Sequence, residues 1–139
     1  MVLKKLTAAA IVALTVVSAV GATAFASERA QAFTSFEVTA AVGNSGFTDQ
    51  VEKKDPGSAQ ARVTYGIPKG ESVDLTIMED GNIASEFCTI SEVNMGSLYN
   101  INYRSTSGGT DRYYKLRVSY LRYYTYNPEQ ITVEGYWRP

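Results

Sequence analysis

The sequence predicts an all-β fold: a single antiparallel β-sandwich of about seven strands behind an N-terminal signal peptide. Three observations carry this. Short runs of alternating apolar and polar residues recur along residues 27–139, separated by turn chemistry. No segment of that stretch sustains a 3.6-residue period over a helix length. Residues 1–26 have the build of an export leader: Lys4 and Lys5, an apolar run from Leu6 to Val20, and the small residues Ala24 and Ala26 at a cleavage site. The mature chain is expected to begin at Ser27 and to form one domain, 27–139.

The strands are expected as follows. Phe36, Val38, Ala40 and Val42 alternate before the loop Gly43-Asn44-Ser45-Gly46. Residues 47–58 read as a polar connection containing the turn Lys53-Lys54-Asp55-Pro56-Gly57-Ser58. Ala61, Val63 and Tyr65 make a second run, broken at Pro68-Lys69-Gly70, and Val73, Leu75 and Ile77 a third. Glu79-Asp80-Gly81 reads as a three-residue hairpin loop with Gly81 left-handed. That register sets Ile77 opposite Ile83 and Val73 opposite Phe87, with Ile83 and Phe87 on the core face. Tyr99, Ile101 and Tyr103 form a fifth run. Residues 112–124 form a long sixth strand, and Ile131, Val133 and Trp137 mark a seventh. Ig-like, jelly-roll-like and partial-barrel connections all satisfy this pattern.

Composition narrows the function. Removing 26 of the 139 residues leaves 113, enough for a core of its own. The leader takes two lysines with it, leaving 11 basic against 14 acidic groups. A net charge of about −3 argues against nucleic acid as a partner. No second apolar run is long enough to cross a membrane, so no membrane association is expected after cleavage. The chain has no histidine, which excludes Ser-His-Asp and Cys-His catalysis. No pair among the 14 acidic residues is singled out for glycoside hydrolysis. Asp80-Gly81-Asn82 lacks the spacing of a calcium loop, and Asp49, Glu52 and Asp55 read as a solvated run, so no metal or cofactor is expected. The single cysteine, Cys88, allows either a small buried hydrophobe in a strand or a homodimer bridged through its thiol.

Charge and aromatics are unevenly spread. Residues 27–97 hold 5 basic and 11 acidic groups, whereas residues 98–139 hold 6 basic and 3 acidic. Nine of the ten tyrosines also lie at 99–136. On the sixth strand Tyr114, Leu116, Val118 and Tyr120 are expected to point inward, and Tyr113, Lys115 and Arg117 outward. On the seventh, Thr132, Glu134, Tyr136 and Arg138 are expected outward. If these two strands pair, Tyr113, Lys115, Arg117, Tyr136 and Arg138 share one open face. Such a face suits stacking on sugar rings, gripping a wall polymer or docking a protein. On the alternative reading the tyrosines fill a pleated surface and Glu134 neutralises Arg117 or Lys115.

The turn and strand 53–63 (Lys-Lys-Asp-Pro-Gly-Ser-Ala-Gln-Ala-Arg-Val) and the close on Gly135-Tyr136-Trp137, behind a signal peptide, give the chain a known layout. It resembles a group of small exported proteins of Gram-positive bacteria, some of them similar to the lactococcin 972 bacteriocins. The resemblance implies a small secreted β-sandwich aimed at cell-wall synthesis. The histidines of that bacteriocin are absent here, and no catalytic residue carries over. The expectation is a secreted, non-enzymatic sandwich that binds a cell-wall polymer, glycan or surface protein through the Tyr/Arg face. The alternatives are a bacteriocin-like toxin and a self-assembling structural subunit.

Overall fold

Alternation places the strands, and the connections between them decide the topology. The computed structural model describes residues 31–139. The expected leader, with Ala24, Ala26 and Ser27, lies outside the described residues. The strands are β1 (Thr34–Ala41), β2 (Gly46–Phe47), β3 (Val51–Glu52), β4 (Ala59–Tyr65), β5 (Ser72–Glu79), β6 (Asn82–Ile83), β7 (Cys88–Ser91), β8 (Tyr99–Ile101), β9 (Tyr113–Leu121) and β10 (Gln130–Arg138). A single 3-10 turn spans Glu92–Asn94.

One sheet runs β1-β10-β4-β8. In the other, β2 and β3 share one edge of β9, while β6 and β7 share the far edge of β5. Each sheet is therefore four rows wide, and every strand pairing is antiparallel. The chain changes sheet at every connection between rows except the β5–β6 hairpin, and its first and last strands lie side by side. This is the jelly-roll connection, one of the alternatives the sequence left open.

The count of seven falls one row short. The row β2/β3 lies in residues 46–52, expected as the end of one loop and the start of a polar connection. Two-residue strands are too short to display a period. Gly46 makes the tight corner possible. A Cβ there would lie 2.2 Å from the Thr39 carbonyl oxygen and 2.4 Å from Val38 Cγ1.

The inner faces follow the two-residue period closely. Phe36, Val38, Val63, Ile131, Val133 and Trp137 of one sheet meet Val73, Leu75, Ile77, Leu116, Val118 and Ile90 of the other. Each such side chain adds roughly 1.5–3 kcal/mol when fully buried, before entropy is counted. Tyr114 and Tyr120 face inward as expected.

The hairpin register differs from the expectation. Met78 sits opposite Ile83 and Glu79 opposite Asn82, leaving the two-residue turn Asp80-Gly81. Both turn residues are left-handed, φ 48° and 79°, as a type I′ turn requires. Beyond the turn the ladder breaks. Ala84 N–H donates to the Ile77 carbonyl at 2.8 Å, and Ile77 N–H donates to Ser85 Oγ at 2.8 Å. Pairing resumes at Leu75 opposite Cys88, so Phe87 is lifted out of the core and stands 54% exposed.

Arg138, expected outward and open, is covered. It lies opposite Gln60 on the outer face. Its Nε and Nη2 donate to Gln60 Oε1 at 3.1 and 2.7 Å, and Nη1 donates to the Gln31 carbonyl at 2.7 Å. The Phe33 ring closes over the guanidinium at 4.6 Å, leaving Arg138 only 9% exposed. Gln31 also ties this segment to the 52–55 turn. Its N–H donates to Asp55 Oδ2 and its Nε2 to the Glu52 carbonyl, both at 2.6 Å. Arg138→Ala leaves Gln60 Oε1 without these donors, and the expected cost is about 1–3 kcal/mol of unfolding free energy. A urea melt checks this, and an unchanged midpoint would make the clamp incidental.

Candidate functional site

The outer face of the β9–β5 sheet carries the candidate site. Because Tyr114, Leu116 and Val118 turn inward, Tyr113, Lys115 and Arg117 turn outward together. Phe47 on β2 and Thr76 on β5 lie opposite Arg117, and Met78 lies opposite Lys115. Arg117 lies 5.7 Å from the Phe87 ring and reaches Thr76 Oγ1 at 3.4 Å. Its Nε is buried without a hydrogen-bond partner. The ion pairs among the described residues are Lys54–Glu52, Arg112–Glu79 and Arg122–Glu129, which leaves Lys115 and Arg117 outside any of them. Phe47 and Tyr113 are half exposed beside these cations.

Tyr136 and Arg138 are elsewhere, because β9 and β10 do not pair. They belong to opposite sheets and face each other through the core. Tyr136 lies on the far outer face between Ser35 and Arg62, and Arg138 is spent on the Gln60 clamp. Glu134 lies opposite Glu37 and Tyr65, so it neutralises neither Lys115 nor Arg117. The expected five-residue face is thus reduced to Tyr113, Lys115 and Arg117.

Three depressions meet along one end of this sheet. A groove of about 240 Å³ runs between β1 and β2/β3, with Phe36, Glu37, Asp49 and Trp137 in its wall. The Trp137 indole N–H is buried without a hydrogen-bond partner. A second groove, about 280 Å³, is lined by Met78, Asp80, Gly81 and Lys115, and shares Phe47 and Gln50 with the first. A third, about 260 Å³, holds Asn82, Thr106, Ser107 and Arg112, and shares Asp80 with the second. The result is a track with an aromatic ridge at Phe47, carboxylates at Asp49 and Asp80, and donors at Gln50, Lys115 and Arg112. Phe47 and Gln50 escaped the sequence reading, which sets Phe87 on the core face. Phe47 and Phe87 stand exposed because of the β2 corner and the broken hairpin.

Buried ionisable groups hold the loops around the sheets. Lys53, expected on a polar turn, is fully buried. Its Nζ donates to the Gly57 carbonyl at 2.9 Å and lies 4.8 Å from the Tyr103 ring centroid. Burial pushes its ammonium below the ordinary value, against the pull of Asp55 and with the push of Arg138. Burial likewise pushes up the Tyr103 hydroxyl, which has no hydrogen-bond partner. Cys88 is a half-buried thiol, raised first by burial and then by the charge of Asp74.

Glu71 is the strongest anchor. Its carboxylate accepts Tyr123 N–H at 2.6 Å, Tyr124 N–H at 2.9 Å and Asn127 Nδ2 at 2.7 Å. Burial acts to raise its pKa, but these bonds and the charge of Arg122 outweigh it, and the carboxyl lies below its ordinary value. This explains why β9 stops at Leu121 rather than at 124: the next amides turn to the carboxylate.

Compared with known proteins, the chain matches no family model, no curated protein and no solved structure.

The Glu71 contribution has a defined pH dependence. Its folded value lies below the ordinary 4.5, so the folded chain holds fewer protons there than the unfolded one. The stabilisation is whole above pH 4.5 and is lost as pH falls through the lowered folded value. Glu71→Gln is therefore expected to melt below the parent at neutral pH, with the gap closing on acidification. Thermal melts across a pH series test this, and a gap that stays constant down to pH 2 refutes the ionised anchor.

Proposed function

We propose that the chain is an exported, non-enzymatic binding protein whose outer-sheet track takes an extended polyhydroxylated polymer, a cell-surface glycan. The observation that supports this best is the run of three contiguous grooves sharing Phe47, Gln50 and Asp80. An extended track suits a chain of repeating units better than a small molecule, which prefers one enclosed cavity. The exposed Phe47 ring offers an apolar face to a sugar ring. Asp49 and Asp80 accept hydrogen bonds from hydroxyls, and Gln50 and Lys115 donate to ring and glycosidic oxygens. Arg117, pinned between Phe87 and Thr76, keeps positive charge at the rim for any acidic substituent.

Co-sedimentation with intact Gram-positive cells and with stripped cell walls tests the reading. The parent chain is expected to pellet with both. Phe47→Ala, at a half-exposed position, is expected to weaken binding by about tenfold or more while the fold survives. Lys115→Ala is expected to cost less and to lose its effect at high salt. If the parent pellets with neither preparation, or a folded F47A/K115A double variant pellets like the parent, the track is not the binding surface.

A further inference from the structure

The opposite end of the sandwich carries a second built feature. Loop 66–71 ends β4, and loop 122–129 joins β9 to β10 at that same end, as Ser72 pairing with Leu121 requires. Tyr124 and Tyr126 stack there, ring centroids 5.3 Å apart and planes within 28°. Gly70 meets the edge of the Tyr124 ring, where a Cβ would come within 2.8 Å of Cε2 and the backbone has φ +77°. Tyr126 is 77% exposed although one of its faces rests on Tyr124, so its other face is open to solvent.

We infer that this stack is a second saccharide-binding site, in which the open face of Tyr126 takes one neutral pyranose ring. Three features favour that occupant. Tyr126 presents a ring face to solvent, and such a face suits the flat apolar side of a pyranose. Within loop 122–129 the two charges offset each other, since Arg122 lies 3.7 Å from Glu129, which suits an uncharged ring. The platform is ordered before a ligand arrives, because Glu71 holds the Tyr123 and Tyr124 amides and Asn127 Nδ2 also donates to the Lys69 carbonyl at 3.1 Å. Pre-ordering spares the loss of loop entropy on binding. The inference rests on the tyrosine stack and not on the track. Lys115 of the track and Leu121 beside the stack are six residues apart on β9, about 20 Å. One polymer long enough to cover both gains avidity from the pair.

The test is NMR titration of chain 27–139, observing tyrosine ring protons, with β-linked N-acetylglucosamine tetramer and with maltotetraose as probes. At least one probe is expected to shift the Tyr124 and Tyr126 rings. Tyr126→Ala is expected to weaken that binding by about tenfold or more, Tyr126→Phe to retain it. Phe47→Ala is expected to leave the Tyr126 response unchanged, so failure of the track and failure of the stack are separable. No ring shift with either probe overturns the inference. So does binding that a folded Y126A variant retains in full, and so does a response at Tyr126 that Phe47→Ala abolishes.

Discussion

Two alternating faces buried against each other hold this protein together. The single cysteine is unpaired, and no α-helix appears among the described residues. Cohesion therefore rests on β9 and β10, the longest strands, whose inner residues Leu116, Val118, Val133 and Trp137 are fully buried between the sheets. A register slip of one residue on either strand would turn its apolar set to solvent. The rest of the topology follows: β1 and β4 flank β10, and β5 with β2/β3 flanks β9.

The jelly-roll connection brings its own problem. When the chain changes sheet at nearly every turn, it leaves backbone amides and carbonyls at the ends of the sandwich without strand partners. Glu71, Lys53 and the Arg138–Gln60 pair answer that problem with buried polar side chains. Glu71 takes the amides that follow β9, Lys53 takes the Gly57 carbonyl, and Arg138 takes the Gln31 carbonyl. Each group is buried and hydrogen-bonded, as low-dielectric surroundings demand. They also stiffen the loops, and the Tyr124–Tyr126 stack stands on one of those.

Fold alone does not assign a function, since this architecture serves many. The functional proposal rests on what the corners expose. The β2 corner puts Phe47 at the junction of two grooves, and the broken hairpin puts Phe87 under Arg117. Both aromatics stand outside the core because local backbone geometry takes them off the two-residue period. The basic C-terminal third is not a separate basic surface. β9 is threaded between β5 and the acidic β2/β3 row, and only Lys115 and Arg117 keep unpaired charge on its outer face.

The sequence by itself determined the all-β class, the main strands and their inward faces, because a two-residue period is a local property of the backbone and needs no knowledge of partners. It also determined that Tyr113, Lys115 and Arg117 share a side. Tertiary structure alone decided which strands become neighbours. The distance in sequence between β9 and β10 is only the loop 122–129, yet the two lie in different sheets. Both inner faces are apolar, and in this arrangement they are buried against each other across the core. That choice sends Tyr136 to the far face and Arg138 into a clamp with Gln60, and it leaves the aromatic surface to residues whose exposure depends on a broken hairpin and a corner. Such features involve one or two residues each, too few to show a period and dependent on contacts distant in the chain.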